Sequence, residues 1–191
     1  MSLVVSSDPA TDPVSVTEAK SHMRVDASDD DTLIGGLITG ATMYAQTYTG
    51  RAFVTQTLEL RIDAFPTTEI RLPKSPSQSV TSIQYVDTDG ATQTWSSDEY
   101  VVDINSKPAR VRPDVDEDWP SVRSQMDAAT VTFVAGYGAA SAVPEGIKLA
   151  IKHLVAHWYE NREGSTVNMK VHLVPLAIDA LLTQYRIPDL G

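Results

Sequence analysis

The chain has 191 residues, 42% of them apolar and 21% charged, and 15 Lys and Arg against 25 Asp and Glu give a formal charge of -10. A chain of this length can bury a core, so disorder throughout is excluded, and the lack of cysteine excludes disulfides, thiol nucleophiles and thiolate metal sites. The acidic balance opposes a basic groove for duplex DNA, because phosphates are held by Lys and Arg; it suits plain solubility, or a wall along which DNA slides without sticking.

Residues 1–13 are polar and acidic, with no basic start and no apolar h-region, so no secretory signal is expected; the absence of cysteine makes an intracellular folding compartment the easier expectation. A short helix is predicted from Thr17, which caps the first turn with Glu18 at its positive end, to about Val25. Asp29 or Asp30 then caps a second helix that runs to about Thr49, where Gly50 stops it. At 100° per residue, Leu33, Ile34, Leu37, Ile38, Ala41, Tyr44, Ala45 and Tyr48 share its core face.

The opposite face of that helix is unusual. Gly35, Gly36, Thr39, Gly40, Thr42, Met43, Gln46 and Thr47 are small or uncharged, and residues 32–50 contain no charge at all. A solvated face normally carries Lys and Glu, and each interior glycine costs about 1 kcal/mol relative to alanine, so a covering partner is expected. Five threonines, four glycines and a glutamine are too polar for a membrane span, which leaves a protein contact through Gly36, Thr39, Gly40, Met43 and Thr47, or a loose exposed helix.

From Ala52 to Tyr137 the period changes to two. Leu58, Leu60 and Ile62 alternate with Glu59, Arg61 and Asp63 as a strand with one wet face. Val80, Ile83 and Tyr85 with residues 92–95 flank a hairpin turn at Asp87-Thr88-Asp89-Gly90. Further strands are predicted around residues 100–103, 109–112 and 130–135, with Pro73, Pro76, Pro108 and Pro113 at their boundaries. Between them, Asp114, Asp116, Glu117 and Asp118 form an acidic loop before Trp119-Pro120. A third helix opens at Pro144, with Ile147, Ile151, Leu154, Val155 and Trp158 on one face, and runs to about Arg162. A mobile connection over residues 163–172 and a last helix from Pro175, carrying Ile178, Leu181, Leu182 and Tyr185 and stopped by Pro188, complete the chain. The fold class expected is α+β: a helical core from residues 1–51 and 138–191, into which a small antiparallel β-rich unit, residues 52–137, is inserted.

No motif completes a catalytic site. His153, His157 and Glu160 stand at helical spacing and could present two imidazoles and a carboxylate to a metal, as in a metal-dependent hydrolase, but structural histidines are the preferred reading. Asp29 with Asp31 and Asp116 with Asp118 lack the spaced ligands and glycine of a calcium loop. Gly136-Tyr137-Gly138 is followed by no phosphate-binding signature, and no serine sits in a nucleophile elbow. No catalytic residue, cofactor or metal is therefore expected.

Several short strings in order carry a resemblance: Val16-Thr17-Glu18-Ala19-Lys20, His22-Met23-Arg24-Val25-Asp26, Tyr48-Thr49-Gly50-Arg51 and Thr55-Gln56-Thr57. Later come Val131-Thr132-Phe133-Val134-Ala135-Gly136-Tyr137-Gly138, Val143-Pro144 and Ala156-His157-Trp158-Tyr159-Glu160-Asn161-Arg162-Glu163. Over most of its length the chain resembles the head-to-tail connector (adaptor, head-completion) proteins of long-tailed bacteriophages and prophages. The resemblance implies a noncatalytic virion protein, assembled in the host cytoplasm and sited at the virion neck. It would dock on the portal protein as a ring of about twelve copies, extend the DNA channel without binding DNA specifically, and receive a tail-completion or stopper protein, with no membrane involved. On that view Gly36, Thr39, Gly40, Met43 and Thr47 form an intersubunit or portal-facing surface. Asp29, Asp30, Asp31, Asp114, Asp116, Glu117 and Asp118 are the candidates to face the channel. A peripheral tail or baseplate module that recognises its target through the β unit is the alternative.

Overall fold

In a computed structural model, the structure describes residues 1–161 and 176–187. In chain order these form β1 (Ser2–Ser7), α1 (Val16–Met23), α2 (Asp31–Thr49), β2 (Gln56–Ile62), β3 (Ile70–Leu72), β4 (Ser77–Val86), β5 (Thr92–Trp95), β6 (Tyr100–Asp103), β7 (Ala109–Pro113), β8 (Ala129–Ala135), α3 (Glu145–Glu160) and α4 (Leu176–Thr183). Met1–Ala10 with Thr55–Tyr137 make one unit; Thr11–Val54 with the chain from Gly138 make the other.

The first unit holds every strand described. Its five-stranded sheet has the order β1-β2-β8-β4-β5, and a three-stranded sheet has the order β3-β7-β6. Every pairing between these strands is antiparallel. β2 and β8 alternate buried and half-buried residues without a break, and their register places Leu58 opposite Phe133, Leu60 opposite Val131 and Ile62 opposite Ala129. Cross-strand apolar pairs of this kind fix register, because a one-residue slip would turn the whole set towards water. β4 breaks the alternation because its register shifts between Ser77 and Ser79 and again between Val80 and Ser82. The hairpin to β5 turns where the sequence predicts, with Gly90 at φ +91 and the Asp87 carboxylate accepting the N–H groups of Asp89 and Ala91.

Ile70, Leu72, Ala109 and Val111 are the buried residues of the smaller sheet. Arg110, on β7, bridges Glu69 at 3.5 Å and Asp103 at 2.8 Å. The Ser106 hydroxyl and then Arg110 hold the Asp103 carboxyl far below the ordinary carboxylate range. Aromatic rings join the ends of the two sheets: Trp119 stacks on Phe65 at 4.9 Å and lies 5.2 Å from Trp95, which in turn sits 5.1 Å from Tyr100.

This architecture corrects the expected fold class. The chain is not a helical core with a small β insertion: it carries two antiparallel sheets of eight strands beside four α-helices among the described residues. β1 comes from the N-terminal stretch read as a polar lead-in, and pairs with β2 through Leu3-Val4-Val5. β3 was also missed, because three residues are too few to display a period of two.

The helical unit owes its ends to local chemistry. Ser15, not Thr17, caps α1: its hydroxyl accepts the Glu18 N–H, and the Glu18 carboxylate accepts the Ser15 N–H, closing a reciprocal capping box. The Ser15 N–H and then the Ser15 hydroxyl, both donating to the Glu18 carboxylate, lower the Glu18 pKa. Arg24 and Gly50 terminate α1 and α2 in the left-handed conformation, at φ 58 and 69. α3 starts after Pro144 as expected and ends at Glu160. Ile34, Ile38, Ala41 and Ala45 of α2, Ile147, Ile151, Leu154 and Val155 of α3, and Ile178 and Leu182 of α4 are buried; each fully buried Ile, Leu or Val among them contributes about 1.5–3 kcal/mol. The expected mobile connection at residues 163–172, and Pro175 and Pro188, lie outside the described residues.

Candidate assembly surface

The buried face of α2 is rotated from the expected one. Thr42 and Thr49 are buried, Thr49 donating its hydroxyl to the Ala45 carbonyl at 2.7 Å, whereas Leu33 is 39% exposed. What remains in solvent is a stripe through Leu33, Gly36, Thr39, Met43 and Thr47, with Gly40 half-covered beside it. Steps of three and four residues keep it on one side of the helix. Met43, 63% exposed, is its largest apolar contribution.

The stripe is not uniform. Among the described residues a Cβ built on Gly36 meets no atom within 4 Å, so none of them requires a glycine there. A Cβ on Gly40 stands 3.6 Å from the Trp158 ring of α3, so Gly40 partly serves packing within the unit. The Thr39 hydroxyl donates to the Asp12 carboxylate at 2.9 Å, tying the stripe to the segment before α1. Among the described residues no helix is long and apolar enough to cross a membrane.

The acidic candidates divide into two groups. Asp31 is ion-paired with Lys20 at 2.6 Å, and Asp30 accepts the Tyr159 hydroxyl at 2.6 Å, so both serve contacts between helices. Asp29, Asp114, Asp116, Glu117 and Asp118 are exposed. The loop of the last four is folded on itself: Asp114 accepts the N–H of Val115 and, through its carbonyl, that of Glu117, and Asp116 sits at φ 68. It borders an open cleft of about 410 Å³ that also includes Arg112, Val101 and Trp119, so its field is not purely negative.

The histidines do not gather as the helical spacing suggested. His153 packs edge-on against His22 of α1 at 5.0 Å, and His157 makes its contact with Asn161. Burial, then His153 and Lys152, push the His22 pKa below its ordinary value. No group of three or more His, Asp or Glu able to hold a metal occurs among the described residues. The His22–His153 contact had no sequence signal, since it joins two helices through tertiary packing alone.

Three solved chains resemble this one at 20% identity. A chain from the neck of an empty gene transfer agent (GTA) particle with C6 symmetry, and one from the virion of a native GTA particle, each give a TM-score of 0.83 and cover 100% of this chain and 98% of their own. A chain from the neck of a native GTA particle with C12 symmetry gives 0.80 over the same extents. At this identity the likeness shows a shared fold. A search of curated proteins found no match. The model of one family, "Head completion protein", matches residues 14–187, through both units and all four helices, and the chain accordingly belongs to the head completion proteins, which have a structural head–tail connector role.

Proposed function

We propose that copies of this protein close into a ring at the neck of a phage-like particle, docked on the portal, joining head to tail and prolonging the DNA conduit. Family membership supplies the connector role, and the likeness to neck chains, one from a particle treated with C12 symmetry, supports the ring and its place. The observation that carries the reading to particular residues is the exposed, uncharged stripe of α2 in a protein of charge -10. The stripe carries no charged side chain of its own, so the charge that covering it would desolvate is limited to Asp12 at Thr39, and Gly36 allows a neighbouring backbone to come close. A ring requires contacts that join two different faces of each copy, so the stripe meets another surface of the next subunit.

The exposed acids Asp29, Asp114, Asp116, Glu117 and Asp118 are the positions proposed to border the passing DNA, where negative charge keeps phosphates from adhering. Replacing all five by Asn or Gln is expected to leave assembly intact and to slow DNA passage. Unchanged ejection kinetics would remove the assignment. Gly36→Leu tests the ring: lost assembly by a folded monomer is expected, and unchanged assembly removes the stripe as a contact.

A further inference from the structure

We propose that the outer edge of β1 is a strand-addition site, which takes an extended, uncharged segment of another protein of the particle. Among the described residues β1 is the terminal strand of its sheet and pairs with β2 alone, so one row of its backbone N–H and C=O groups faces outward. All six residues are exposed, Leu3 at 36%, Val4 at 39% and Val5 at 49%. In the register, Leu3 stands opposite Leu60 and Val5 opposite Leu58, and residues directly opposite share a face. Leu58 and Leu60 are each 1% exposed, so the cover over this apolar face ends at β2 and leaves Leu3 and Val5 as its bare continuation.

Soluble proteins guard such edges with lysine, proline or a bulge, because an open edge templates further pairing. β1, Ser-Leu-Val-Val-Ser-Ser, has neither charge nor proline, and its one irregularity falls at its end, between Val5 and Ser7. An edge of this kind recognises a partner by main-chain hydrogen bonds, with alternate apolar side chains meeting Leu3 and Val5. A different protein fits better than a second copy. Pairing β1 with β1 is isologous and satisfies copies in twos, which does not propagate around a ring. The other edges that a second copy offers among the described residues are β5 and β6, with four residues each, and β3, with three, too little to match six.

The inference rests on the connector reading for the identity of the particle. The test complements a gene deletion with wild-type protein or with the double variant Val4→Lys, Val5→Lys, both sites being exposed in the folded chain. The variant is expected to keep its circular dichroism and unfolding transition and to give at least tenfold fewer joined particles. Joining at the wild-type level by the variant overturns the proposal, whereas joined particles from the deletion itself overturn the connector reading instead. Because the chain has no cysteine, Val4→Cys gives a single labelling site. Maleimide should modify it at least tenfold more slowly in assembled particles than in the free protein; equal rates contradict the proposal. Dimers of free wild-type protein that Val4→Lys dissolves would assign the edge to a second copy and overturn the choice of partner.

Discussion

Replacing Gly36 by leucine should move stability and assembly in opposite directions. Residue 36 lies in the interior of α2, on its exposed face, and a Cβ there meets no atom of the described residues within 4 Å. Relief of the glycine penalty should therefore stabilise the isolated chain by about 0.8 kcal/mol. For a protein of this size that corresponds to a rise in Tm of about 2–3 °C. If the stripe is the proposed subunit contact, the added isobutyl group would fill space taken by the neighbouring subunit, and overpacking costs about 1–3 kcal/mol at each contact. Repeated around the ring, that cost should abolish assembly. Calorimetry of the free protein and electron microscopy of portal-bearing heads mixed with it give the two readouts. A variant that is more stable and still decorates heads as the wild type does would refute the stripe as an interface. A destabilised variant would refute the solvent exposure of the site. Gly40→Leu is the inferior probe, because its side chain would strike Trp158 within the same unit.

Three further outcomes follow from individual contacts. Ser15→Ala removes the hydroxyl half of the capping box of α1 and should cost about 1 kcal/mol in urea unfolding, while Thr17→Ala should cost less because Thr17 is not the cap. His22 has a folded pKa below its unfolded value, so its contribution to stability is complete above about pH 6.5 and is lost as the pH falls through the folded value. Tm measured between pH 8 and 5 should decline less steeply in His22→Asn, and a slope equal to the wild type would refute the linkage. Trp119→Ala deletes ring contacts with Phe65 and Trp95 and should destabilise the sheet unit by about 1–3 kcal/mol, read by near-ultraviolet circular dichroism and urea unfolding.

The elements that could be read from the sequence are those whose local chemistry and tertiary environment agree. β2 and β8 show their alternation because one face is buried along their whole length, and the hairpin at Asp87 to Gly90 carries its own turn residues. β1 was hidden because all of its side chains are exposed and leave no alternation to read. With β1 went the balance of the fold, since the sheet unit reaches back to the N-terminus rather than sitting inside a helical core. The cap of α1 was misplaced by two residues, because Ser15 and Thr17 are both acceptable caps and only the Glu18 side chain distinguishes them. On α2 the absence of charge was legible, but which uncharged residues face water was not. Thr42 is buried and Leu33 exposed because the packing partners, not the hydropathy of the helix, set its rotation. Asp30 and Asp31 looked like members of an acidic run until the fold brought Tyr159 and Lys20 to them.

This head completion protein joins heads to tails in a phage-like particle. Electron microscopy of particles produced after deletion of its gene tests this most directly. Heads and complete tails should then lie separate, with joining restored by the wild-type protein supplied in trans. Intact, joined particles in the deletion would contradict it.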